Sequence, residues 1–228
     1  MTPPSCTCEG AALDLDSIAR SGRKTLSEAE AKTLLREHGV KTTAFVIPER
    51  EELQSLNIEF PVAVKVCSPD VMHKSDKGGV FLDVRNRDEL RLRYDEILGR
   101  FPGSKVLVEP MARKGFEAIV GLVRDKGFGL CILFGSGGVL ANLIQDASFR
   151  KLPVTAEDAA EMISETKAKA VFEGFRDLKA DLSSTTRMLL AVSEMGTRLG
   201  DKIDQMDLNP VILRADGYEV VDAKVILL

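Results

Sequence analysis

A short apolar run with one charge buried in it, residues 60–66 (FPVAVKV), constrains this chain more than any other segment. Bounded by turn residues, it reads as an interior strand. Lys65 inside it must either reach the surface or meet an anion, because an unpaired buried ammonium is costly. Residues 67–79 (CSPDVMHKSDKGG) follow, and their Pro, Asp, Ser and paired glycines break both helical and strand periods, so they form a loop. A strand lysine beside a glycine-bearing loop is what phosphate binding asks for. Gly78 and Gly79 would let the backbone approach phosphate oxygens and aim amide N–H groups at them. Between lysine and glycines stands His73, whose neutral ring nitrogen is a competent nucleophile near pH 7 and could carry a phosphoryl group. Each residue also has a plainer reading: an exposed lysine on a half-buried strand, a turn, a surface histidine.

Around this loop the pattern is of short strands separated by single helices, which points to α/β or α+β layering. Residues 26–38 (LSEAEAKTLLREH) predict a helix with Ser27 as N-cap, Glu30 completing a capping box and Gly39 as the stop. His38, the chain's other histidine, falls in the last turn of that helix, where structural duty explains it. Residues 42–47 (TTAFVI), 79–84, 105–109, 116–124 and 130–134 read as strands, and 49–56, 88–100, 156–169 and 182–199 as helices. The GSGG segment is a glycine loop entering an apolar helix, residues 148–155 read as irregular, and residues 206–227 close the chain as a hairpin around Ala215-Asp216-Gly217.

Composition excludes several classes. With 31 Lys plus Arg against 35 Asp plus Glu, the chain announces no basic face for a nucleic acid. No run approaches the length of a membrane span. The four cysteines, at 6, 8, 67 and 131, fit neither a zinc ribbon nor a C-x-x-C redox site, so the reading is of a cytoplasmic protein with reduced thiols.

Two further constellations carry chemistry. Glu109 ends a strand just before Pro110, and Glu117 follows in the next strand; two such carboxylates could accept hydrogen bonds from an adenine amine and from ribose hydroxyls, or be exposed strand-edge residues. Asp207, Asn209 and Asp222 lie on two arms of the C-terminal hairpin, where pairing can bring Asn209 and Asp222 together. Oxygen ligands of this type suit Mg²⁺, which takes one or two carboxylates plus phosphate oxygens.

Four runs, AVKVCSPDVMHKSDKGGV (63–80), VEPMARKGFEAIVGLVRDKGFG (108–129), FGSGGVLANLIQDASFRKLP (134–153) and DLNPVIL…YEVVDAKVIL (207–227), resemble the ATP-grasp β subunit of ADP-forming acyl-CoA synthetases, the acetyl-CoA synthetase (ADP-forming) family related to succinyl-CoA synthetase. The resemblance covers residue 21 to the end. It implies an ATP-grasp fold, two lobes clasping a nucleotide between antiparallel sheets, with a flexible leader at 1–20, a part containing the small lobe at 21–107 and a larger lobe at 108–228. It further implies that Lys65 contacts the nucleotide phosphates, that Gly78 and Gly79 line the phosphate loop, and that Glu109 with the Pro110-Met111 backbone forms an adenine hinge. Glu117 would hold the ribose, Asn209 and Asp222 with Asp207 nearby would bind Mg²⁺, and His73 would be transiently phosphorylated.

The implied activity is reversible conversion of acyl-CoA, ADP and phosphate into carboxylate, CoA and ATP, with ATP/ADP and Mg²⁺ as cofactors. A CoA-binding α subunit is the expected partner in a hetero-oligomer, since a CoA-binding unit would not fit beside an ATP-grasp domain in 228 residues. Two alternatives share the fold: a degenerate nucleotide-sensing regulatory subunit, against which the presence of Lys65, His73, Asn209 and Asp222 argues, and a stand-alone carboxylate–amine ligase, which has no need of the loop histidine. Asn142, Asp177 and Gln205 depart from the family pattern, each changing a charge near the expected clasp.

Overall fold

A computed structural model describes residues 12–71, 74–138, 146–176 and 178–228. Among these the chain forms two compact units, one of Ser27–Ala29 with Thr43–Ala112, the other of Ala12–Leu26, Glu30–Thr42 and Arg113–Leu228. The division therefore falls after Ala112 and not after residue 107. It also assigns most of the first long helix to the larger unit.

In the smaller unit, β1 (Val62–Cys67) lies between β2 (Val80–Val84) and β3 (Lys105–Pro110), antiparallel to both. Strand geometry sends alternate side chains to opposite faces. Val62, Val64 and Val66 therefore share one core with Leu90, Tyr94 and Ile97 of a helix at Arg87–Arg100, while Cys67 packs with Ala29, Phe45 and Leu107 on the other face. Because both faces are covered, every residue of β1 is buried, Lys65 included. The helix is N-capped by Asn86, whose side chain accepts the Glu89 amide.

The larger unit is a six-stranded antiparallel sheet in which β4 (Phe116–Asp125), β5 (Gly129–Ser136), β6 (Ala147–Lys151), β7 (Ile203–Arg214) and β8 (Gly217–Val220) run in the order β6-β5-β4-β7-β8, and β9 (Ala223–Leu227) also pairs with β7. The expected hairpin is thus one long strand with two short ones laid along it in succession. Helices at Ala156–Ser164 and Leu182–Arg198 bury Ala159, Met162, Met188, Val192 and Met195 in the core of this unit. Gly196 allows the close approach: a Cβ there would sit 2.6 Å from Leu152 Cδ1 and 2.9 Å from Leu122 Cδ1.

Several expected elements differ. Residues 15–20 are not leader but a helix, Leu15–Arg20, capped by Asp14 and tied by an Asp16–Lys202 ion pair, with Leu15 buried. Residues 42–47 make only isolated bridges, Thr42 to Val220 and Val46 to Val108. The helix expected over 156–169 stops at Ser164, with a separate turn at Lys169–Phe172. Residues 147–151 form an edge strand in place of irregular chain; its inverted pattern, Ser148 buried and Phe149 exposed, hid it. Ser148 tolerates burial because Glu165 accepts its hydroxyl, and Arg150 grips the same carboxylate. These bonds pull Glu165 from the ordinary 4.5 down to about 2. A depressed carboxyl stabilises the fold above its unfolded pKa and loses that contribution as pH falls toward its folded one, so the stability gap between wild type and Glu165→Gln should close between about pH 5 and pH 2 in urea titrations.

Candidate functional site

Lys65 answers the question its strand poses by meeting carboxylates of the protein itself. Its Nζ lies 2.8 Å from Glu28 Oε1 and 2.7 Å from Glu109 Oε1. Glu28 opens the helix Glu28–Glu37, and Glu109 stands on β3, where Ala63 is its register partner. The second oxygen of Glu109 accepts the Thr43 hydroxyl at 2.6 Å, and the second oxygen of Glu28 takes the ammonium of Lys74. The cluster is interior: Glu109 is 1% exposed, Lys65 3% and Glu28 4%. Glu109 is therefore neither an exposed strand-edge residue nor a carboxylate turned toward a base; both its oxygens are engaged. The Met111 amide likewise donates to Pro61 O at 3.0 Å. Both groups of the expected adenine hinge are thus bonded within the smaller unit.

Gly78 adopts φ 67°, a left-handed conformation natural to glycine, but its N–H donates to Ser75 O and the Gly79 N–H to Lys74 O, closing the turn and not facing outward. Gly79 is small for packing reasons, since a Cβ would lie 2.6 Å from Val66 Cγ1. His73 lies outside the described residues, as do Asn142, Asp177, Cys6 and Cys8. His38 receives a structural role, its Nδ1 2.9 Å from Leu34 O. Cys67 and Cys131 are buried free thiols, and burial pushes both pKa values up, which leaves them unreactive.

A second cluster forms in the larger unit. Glu117, near the start of β4, is exposed, and its backbone O accepts the Gly137 N–H at 2.8 Å. Gly138, at φ 74°, donates its N–H to Asn209 Oδ1 at 2.9 Å, and a Cβ on it would lie 1.9 Å from Glu117 Oε2. The GSGG turn thus bonds the Glu117 backbone and the Asn209 side chain through successive amides, a role for Gly137 and Gly138 that their spacing alone did not assign. On β7 the register pairs Leu208 with Ala223, and Val221 N–H donates to Pro210 O, which sets Asp222 opposite Asn209. Gln205 is exposed on the same strand.

Asp207 tests whether these residues fit a metal. Its Oδ1 is buried with no hydrogen-bond partner, and burial, then the charge of Asp222, push its carboxyl above the usual range, with Lys224 opposing. An unspent hard oxygen beside a second carboxylate fits Mg²⁺. Among the described residues no three His, Cys, Asp or Glu are grouped so as to hold a metal ion. Asp207→Asn removes one of two neighbouring negative charges from a buried position and keeps the side chain's shape. It should raise the melting temperature of the nucleotide-free chain by about 2–4 °C in calorimetry, while raising the Mg²⁺ needed for nucleotide binding; a variant that melts lower and needs no more Mg²⁺ removes Asp207 from the site.

An ATP-grasp domain model matches residues 17–227. The β subunit of acetate–CoA ligase (ADP-forming) II from Pyrococcus furiosus is 36% identical, over 93% of this chain and 96% of its own. The chain belongs to the ATP-grasp family, among the β subunits of the ADP-forming acetate–CoA ligases. It spans only 30% of a single-chain relative, acetate–CoA ligase (ADP-forming) II of Archaeoglobus fulgidus, at 38% identity over 89% of this chain. The acetyl-coenzyme A synthetase 1 of Candidatus Korarchaeum cryptofilum, solved with coenzyme A and Ca-AMPCP, superimposes with a TM-score of 0.87 at 39% identity, covering 94% of this chain and 98% of that one. In a complex of that synthetase with Mg-AMPPCP, at TM-score 0.83 and 40% identity, a phosphohistidine segment points toward the nucleotide site. The mixed fold with antiparallel sheets is the one this ATP-grasp β subunit was expected to have.

Proposed function

We propose that this ATP-grasp β subunit is the nucleotide-handling half of a cytoplasmic ADP-forming acyl-CoA synthetase and interconverts acyl-CoA, ADP and phosphate with carboxylate, CoA and ATP through His73. The observation that carries the reading is the near end-to-end match to a chain known as a β subunit. No helix among the described residues is long and apolar enough to cross a membrane. A CoA-binding α subunit is the partner this reading requires.

The chemistry expected of the chain is a phosphoryl exchange. The N–P bond of phosphorylated His73 breaks, its electron pair returns to the ring, and a terminal oxygen of the ADP β-phosphate forms the new O–P bond; the reverse step loads the histidine from ATP. There is little covalent work for side chains in such a step, so positioning and charge compensation dominate. Lys65, its ammonium balanced by Glu28 and Glu109, ties the strand that leads into the His73 loop to the interior of the smaller unit. Glu117, exposed beside the GSGG turn, would serve the ribose hydroxyls. Asp207, Asn209 and Asp222 would hold Mg²⁺, which when bound with nucleotide neutralises phosphate charge. Mixing the chain with a CoA-binding α subunit should produce ATP from an acyl-CoA, ADP and phosphate, and a panel of acyl-CoAs would name the acyl group. Robust ATP formation by the purified chain alone would overturn the two-subunit reading.

A further inference from the structure

Beyond its bond to Lys65, Glu28 has no part in the function so far described, yet it is among the most deeply buried charges in the smaller unit. The obvious acid of its helix start, Glu30, is spent on Arg23, with bonds of 2.9 and 2.5 Å. Glu28 instead divides its carboxylate between two lysines of different origin: Oε1 to Lys65 on β1 at 2.8 Å, Oε2 to Lys74, the residue that follows His73 in the chain. Its side chain is 1% exposed, against 4% for Lys65 and 14% for Lys74.

Lys74 is fixed by more than this ion pair. Its carbonyl accepts the Gly79 N–H at 2.7 Å, and the Gly79 carbonyl accepts the Val66 N–H at 2.8 Å, which ties the turn back to β1. Arg100 Nη1 donates to Gly78 O at 2.7 Å from the end of its helix. The C-terminal end of the loop is thus stapled to β1, to Arg100 and to Glu28, and Lys74 is joined to His73 by one peptide bond.

We propose that Glu28 is a positioning residue for phosphoryl transfer: it anchors Lys74, and through Lys74 fixes the C-terminal end of the segment that presents His73 to the nucleotide. The inference rests on the phosphohistidine reading above. It follows that Glu28 acts on the rate of transfer and not on nucleotide affinity, because it sets where the chain bearing the nucleophile begins and touches no substrate. Positioning of this kind is costly to lose, since small misplacements of a reacting group slow a step steeply.

The test follows phosphorylation of His73 by Mg-ATP in the full chain, at varied ATP, in wild type, Glu28→Gln, Lys74→Met and the double variant. Glu28→Gln should lower the maximal rate at least about tenfold and leave half-saturating ATP unchanged. Lys74→Met should match it, and the double variant should be no slower than either, because both substitutions cut one link. Should Glu28→Gln fail to fold, Lys74→Met, whose side chain is the most exposed of the three, carries the test alone. A wild-type chain that takes no label overturns the relay itself and this inference with it. A wild type that labels while both single variants label at the same maximal rate overturns the role of Glu28 and leaves the relay standing, as does a double variant whose loss is the product of the two.

Discussion

His73→Ala should take no phosphoryl label from Mg-ATP, support no acyl-CoA-dependent ATP formation with a CoA-binding α subunit, and still bind nucleotide. This is the largest effect expected of any substitution in the chain. An imidazole nitrogen is the one nucleophile the 67–79 loop offers that is neutral near pH 7 and leaves well when phosphorylated. His38 cannot replace it, because its ring is held against Leu34 O at the end of a helix. The label should be acid-labile and base-stable, as an N–P bond is, and calorimetry with ADP should give the wild-type affinity. Synthesis retained in His73→Ala would remove the relay; a label retained elsewhere would move it.

What could be read from residue order and what could not divides along a physical line. The strand within residues 60–67 follows from local pattern alone, and so do the helices within 87–100 and 182–199, whose caps and periods lie at or within each segment. The edge strand at Ala147–Lys151 failed that test because its burial is inverted: Ser148 is inside only because Glu165, from a helix further along the chain, supplies an acceptor. The same reason governs the site. That Lys65 needed an anion followed from burial; that the anions are Glu28 and Glu109 did not, because Glu28 comes from 37 residues upstream and was overshadowed by the capping pattern at Ser27 and Glu30. The glycines at 78 and 79 looked like a phosphate cradle because glycine permits one, but their amides are consumed inside the turn by Ser75 and Lys74. Asn209 opposite Asp222 was legible because strand pairing near a turn is a local matter; Gly138 joining Asn209 was not, since their 71-residue separation leaves no periodic trace.

Lys65→Met should destabilise the chain severely, which sets it apart from an ordinary ligand mutant. Lys65 is flanked by Glu28 and Glu109 at 2.8 and 2.7 Å, in a strand with no exposed residue. Methionine fills the space of the lysine stem but leaves these interior carboxylates without the ammonium they share, and breaking a buried pair by removing one partner costs about 3–5 kcal/mol. Against a whole-domain stability of about 5–15 kcal/mol this is a large fraction. Urea unfolding followed by circular dichroism should show the loss as a lowered midpoint at unchanged slope. Adding Glu109→Gln to Lys65→Met should recover part of it, because the amide removes one of the orphaned charges, and that non-additivity is the signature of a shared interior network. An exposed lysine predicts the opposite: Lys65→Met within about 0.5 kcal/mol of wild type, as for surface substitutions in general, with the second substitution adding its own cost independently. Either of those outcomes would show that the pairing of Lys65 contributes nothing to the fold, and would return the residue to the role of a solvent-facing phosphate contact.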